Sequence, residues 1–132
     1  MNAASLSLTF GWWGMLAGIL SGAVIGLKFH RETWLGGYGS FPRRLVRLGH
    51  ISFFGLGLLQ LGYGLTLASG QVTQTSGSLA LGGTVAFIVA QATMPLFCFL
   101  TAWRKPCRHG FPVPVLAATI GVICAIRLLA SS

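Results

Sequence analysis

Residues 9–29 read TFGWWGMLAGILSGAVIGLKF, and the one charge in the run, Lys28, stands at its far end. At about 1.5 Å of rise per residue, such a run crosses the ~30 Å hydrocarbon core of a bilayer. Glycine recurs every four residues at Gly14, Gly18, Gly22 and Gly26, with Ala17 and Ser21 alongside. Helices in lipid do not associate through hydrophobic burial, so a stripe of small residues that lets two backbones approach is the natural substitute. The stretch therefore predicts a transmembrane helix whose glycine face meets another helix.

Three further apolar runs of spanning length lie at 47–68, 78–103 and 112–130. Each carries a weaker small-residue series: Gly57 and Gly64 in the second, Gly82, Ala86 and Ala90 in the third, Ala117, Gly121 and Ala125 in the fourth. The expected fold is a single all-α domain over residues 1–132, four transmembrane helices in an antiparallel up-down bundle. Gly36, Gly37, Gly39 and Pro42 mark the first connection as a loop, and Pro106 and Gly110 interrupt the third. The second connection, SGQVTQTSG, is polar and uncharged. The N-terminal stretch has no Lys or Arg ahead of its apolar run, so it reads as part of a retained helix rather than as a cleavable signal peptide.

Composition agrees with this solvent. Charged residues make up 8% of the 132 residues, far below the ~25% of a soluble domain, and hydrophobic residues make up 54%. The net charge of +8 comes from nine Lys and Arg against one acid, Glu32. Because these cations flank apolar spans instead of covering a polar domain, a nucleic-acid partner is excluded. Lys28, Arg31, Arg43, Arg44, Arg47, Arg104, Lys105 and Arg108 fall on the side of the first and third loops, and Arg127 alone falls opposite. By the positive-inside rule both termini are expected outside, with the first and third loops cytoplasmic. A bacterial inner membrane is the expected location, with anionic lipid on the cytoplasmic side and a homo-oligomer or a larger membrane complex as partner.

Chemistry is scarce. One glutamate cannot supply the carboxylate pair or the Ser/His/Asp set of acid-base and hydrolytic enzymes, so a non-catalytic protein is expected. The three cysteines are scattered, and no disulfide is predicted. Gln60 and Gln91 sit near the middles of the second and third spans, with Tyr63 one turn from Gln60. Two readings suit them, an interhelical amide clamp or a contact to quinone or substrate.

All three histidines fall on the basic side. His30 extends the glycine stripe, and His50 opens the second span. The pair could clamp a haem b, with Arg43, Arg44 and Arg47 compensating its propionates and Met94 as an alternative axial ligand. A zinc site from His30, His50, Cys107 and His109 is a further arrangement. The bland alternative leaves both histidines as helix-end residues at the interface. Two functions thus stand side by side: a haem- or metal-binding, redox-linked subunit of a respiratory-type assembly, and a purely structural or anionic-lipid-binding accessory subunit.

Overall fold

The computed structural model describes residues 2–69 and 77–131. Four helices follow one another: α1 (Ala3–Phe29), α2 (Phe41–Ala68), α3 (Gly77–Trp103) and α4 (Pro112–Ala130). Short 3-10 turns at Trp34–Gly36 and Lys105–Gly110 stand before α2 and α4, and there is no strand among the described residues. All four helices are long and apolar enough to cross a membrane, which marks the chain as an integral membrane protein. Residues 70–76, most of the expected uncharged connection, lie outside the described residues.

Two helices begin six residues earlier than hydropathy suggests. The Asn2 side chain accepts a hydrogen bond from the Ser5 amide at 2.8 Å, capping α1. At α2 the Ser40 hydroxyl accepts from the Arg43 amide at 3.3 Å, and Pro42 occupies the first turn. Pro42 therefore starts a helix instead of breaking one, since its missing N–H would be unpaired there in any case. In consequence Arg43, Arg44 and Arg47 belong to the opening turns of α2 and not to a loop. Similarly, α3 runs through Pro95.

The packing of α1 on α2 follows a strict register. Leu8 lies against Gly64, Leu61 against Gly11, Met15 against Gly57, Phe54 against Gly18 and His50 against Gly22. Numbers rise along α1 as they fall along α2, in alternating steps of three and four, which is the heptad spacing of a knobs-into-holes seam. Every layer holds one glycine and one large side chain; the glycine alternates between the helices over the first four layers and stays on α1 in the fifth, where Gly22 faces His50. A Cβ added at Gly11, Gly18, Gly22 or Gly64 would stand 2.6–2.9 Å from the facing side chain. The glycines are holes already filled.

This seam differs from the four-residue stripe in the sequence. Four residues turn a helix by about 40° more than one revolution, so an every-fourth series drifts off a fixed face. Gly26, the last member, has nothing within 4 Å of its Cβ position, whereas Gly11, outside the series, is buried. In α3 the same correction applies: Gly82 is open, and its neighbour Gly83 meets Tyr63 and Cys124.

Polar side chains tie the helices further by bonding to neighbouring backbone. The Ser7 hydroxyl of α1 donates to the Gln60 carbonyl at 2.9 Å, and the Gln91 amide of α3 donates to the Phe10 carbonyl at 2.8 Å. Thr84 donates to the Ala3 carbonyl at 3.3 Å and Tyr63 to the Ala80 carbonyl at 3.1 Å. Each such bond contributes about 0.6–2 kcal/mol in a bilayer. Helix α4 packs on α3, where Phe87 lies over Gly121. Tyr63, Ala80, Phe87 and Leu128 form the buried apolar cluster.

Gly22 and Gly26 separate the seam from the stripe. Gly22→Leu should lower the thermal stability of the detergent-solubilised protein by about 1–3 kcal/mol, the usual cost of overfilling a packed site. Gly26→Leu should leave it near wild type. Equal losses in the two variants would contradict the register.

Candidate functional site

The end of the molecule that carries Lys28, Trp34, Val46 and Trp103 gathers the exit of α1, the first loop, the start of α2 and the exit of α3 around one apolar cleft. Its organising residue is Arg43, 2% exposed. The guanidinium donates from Nη1 to the Glu32 carbonyl and from Nη2 to the Phe29 carbonyl, both at 3.2 Å. Its carbon stands 4.4 Å from the Phe29 ring centre, 5.4 Å from Tyr38 and 5.7 Å from Trp34. A cation in such an aromatic box, satisfying the last carbonyl of α1 and one carbonyl of the loop, anchors the loop to both helices. The loop makes room for this with a left-handed segment: Leu35, Gly36 and Gly37 have φ of 55°, 85° and 95°. Two of the three are glycine, the residue that adopts such angles without steric cost. Ser40 closes the segment by donating to the Leu35 carbonyl at 2.6 Å.

Arg43 was expected to face an anionic cofactor. The structure commits it to the loop instead, because its hydrogen bonds run to backbone carbonyls and its faces are covered by rings. Arg47 lies 5.0 Å from the Tyr38 ring centre and lines a small groove, while Arg44 is exposed.

That groove, about 250 Å³, is bounded by Gly22, Ile25, Gly26, Phe29, Arg47, His50 and Ile51. His50 is half-buried in it, with Nδ1 3.1 Å from the Ser21 hydroxyl and its ring edge-on to Phe54. Ser21 also donates to the Gly18 carbonyl at 3.0 Å, so both its position and that of the ring are fixed. A histidine held through one nitrogen leaves the other as the candidate ligand atom. In the sequence Ser21 reads only as one more small residue of the stripe, with nothing to mark it as a partner of His50.

His30 does not join His50. The seam sets His50 opposite Gly22, eight residues and about 12 Å along α1 from His30, which caps the helix and is exposed. The expectation that both imidazoles meet rested on His50 lying at the helix entrance; α2 starts earlier, and His50 is in its third turn. Met94 is also distant. Contacts of α3 with α1 pair Thr84 with Ala3 and Gln91 with Phe10, which sets Met94 level with Trp13, about 14 Å along the axis from the His50 layer. Cys107 and His109 occupy the turn before α4, half-buried and exposed respectively. Among the described residues no group of three or more His, Cys, Asp or Glu is placed to hold a metal ion.

The glutamines do share a depth, yet they do not bond to each other. Gln91 uses its amide on Phe10, its Oε1 is unpartnered, and neither polar side-chain atom of the fully buried Gln60 has a partner. Tyr63 donates to the α3 backbone and makes no bond to Gln60. An amide buried without partners costs about 1–3 kcal/mol. Gln60→Met, nearly isosteric, should therefore raise stability by about that amount, whereas Gln91→Met, which removes a made bond, should lower it. Unfolding in detergent reads both, and a destabilised Gln60→Met would mean that the amide is satisfied by a bound group. No protein-family model, curated protein sequence or solved structure matches this chain.

Proposed function

We propose that the chain is a non-catalytic accessory subunit of a bacterial inner membrane. It stands as an antiparallel up-down four-helix bundle with both termini outside, and packs against larger membrane partners and anionic lipid. The observation that carries this reading is the asymmetry of charge. Eight of the nine Lys and Arg belong to the end that holds the first loop and the turn before α4, where Lys28, Arg31, Arg44, Arg104, Lys105 and Arg108 are exposed. Short cationic connections of this kind stay cytoplasmic and attract anionic headgroups. The exposed aliphatic faces of α1 and α4, among them Ile19, Leu20, Leu116 and Ile120, are suited to lipid or to a neighbouring subunit.

A second reading is favoured by one geometry, that of His50. With Nδ1 engaged by Ser21 and Arg47 beside it, the ring suits a single ligand to a haem b or a metal ion in a redox-linked assembly. A partner would supply the remaining ligands.

Purified protein distinguishes the two. A colourless, metal-free sample that retains phosphatidylglycerol supports the accessory reading; a Soret band or stoichiometric metal, lost in His50→Ala, supports the second. Orientation is tested by a single cysteine at exposed Thr33 in a background lacking Cys98, Cys107 and Cys124. Labelling from the cytoplasmic side alone is expected, and labelling from outside would overturn the orientation.

A further inference from the structure

We propose that the cleft beside the loop lock is a seat for one anionic phospholipid, its acyl chain between α1 and α3 and its phosphate on Lys28. The cleft has a volume of about 540 Å³ and is lined by Leu20, Val24 and Ile25 of α1, Val46 of α2, and Phe99 and Trp103 of α3. Trp34 of the first loop and Lys28 complete it. From Leu20 to Lys28 it runs about 12 Å along α1, so one end lies at membrane depth and the other at the basic rim. Leu20, Val24 and Trp103 are largely exposed, so the cleft opens sideways toward the surrounding lipid.

Charge complementarity selects the occupant. The one charged residue lining the cleft is Lys28, exposed and with no acidic residue beside it in the lining; Arg31 follows it by three residues, and Arg104 directly follows Trp103. A zwitterionic headgroup would bring its own cation to this rim, whereas an anionic one would not. Shape adds a second argument. Trp34 is held on one side by Phe29, at 6.1 Å between ring centres, and by the Arg43 guanidinium. The loop lock thus fixes one aromatic wall of the cleft in advance, and a preordered wall lowers the cost of ordering a bound chain. At the inner side Ser21 joins the cleft to the His50 groove.

This proposal rests on the anionic-lipid reading above and narrows it to one site. It is tested by fluorescence of a Trp12→Phe, Trp13→Phe background, in which Trp34 and Trp103 remain as reporters on the cleft. The protein is reconstituted into phosphatidylcholine vesicles in which acyl-brominated phosphatidylglycerol or acyl-brominated phosphatidylcholine replaces part of the lipid. Phosphatidylglycerol should quench at a mole fraction roughly fivefold lower, the preference expected of one cation at an anionic surface. Lys28→Gln should remove the preference, and Val24→Phe, which fills an exposed wall, should reduce quenching by either lipid. Equal quenching by the two lipids in the unaltered cleft would overturn the proposal. So would quenching by neither, the result expected of a cleft covered by a second protein chain. A preference that survives both Lys28→Gln and Val24→Phe would overturn the site while leaving the basic end as a diffuse lipid contact. Failure of the purified protein to retain any phosphatidylglycerol would overturn both readings together.

Discussion

Close approach of α1 and α2 through the reciprocal glycine seam is the constraint on which the rest of the molecule depends. Lipid tails are as apolar as leucine, so the two helices gain nothing from hiding apolar side chains from them. What remains is dispersion, which falls off steeply with separation and so rewards surfaces that touch along their whole length. Pairing one glycine with one large side chain in each layer, with the glycine supplied by α2 in two layers and by α1 in three, lets the axes stay close while the facing side chain fills the glycine's space. The Ser7 hydrogen bond to the Gln60 carbonyl also requires the backbones to be near. Register at the far end of the same seam sets His50 into Gly22 and against Ser21.

Arg43 continues this order into the loop. Once α2 lies against α1 in this register, its first turn stands beside the end of α1, and the guanidinium bridges the Phe29 carbonyl and the loop carbonyl of Glu32 across the gap. Phe29, Trp34 and Tyr38 then close over it. A buried cation without a carboxylate partner is costly in general. Here the two Nη groups are satisfied by the last carbonyl of α1 and one loop carbonyl, three rings stand around the guanidinium, and the Nε alone is buried without a partner. The loop is short, glycine-rich and yet fixed, and its fixed position gives the apolar cleft a wall.

Much of the architecture is legible in the sequence, because span length and hydropathy answer to bilayer thickness alone. The asymmetry of Lys and Arg is equally plain. Helix starts were less so: Asn2 and Ser40 are caps whose signal is a single polar residue before an apolar run, and Pro42 carries opposite meanings inside a helix and in its first turn. The glycine face was legible in kind but not in register. A strict four-residue count follows Gly14 to Gly26, whereas the helix turns by 3.6 residues and the packed face includes Gly11 and abandons Gly26. The candidate site depended on the start of α2 as well as on the stripe. Placing His50 at the helix entrance brought it to His30 on paper; the actual layer puts the two on different turns and gives His50 a serine neighbour that only the register reveals.

The central claim is that each layer of the seam holds one large residue and one glycine, with no preference for which helix carries which. A swap in the layer of Gly18 and Phe54 tests it most directly, since the atoms nearest the added Cβ all belong to the Phe54 ring. Unfolding free energies would be measured in one detergent for Gly18→Phe, Phe54→Gly and the double variant. Each single change should destabilise the protein, the first by overfilling and the second by opening a cavity. The double variant should recover much of the loss, with a coupling of about 1–3 kcal/mol. Losses that simply add, leaving the double variant worse than either single one, would contradict the account.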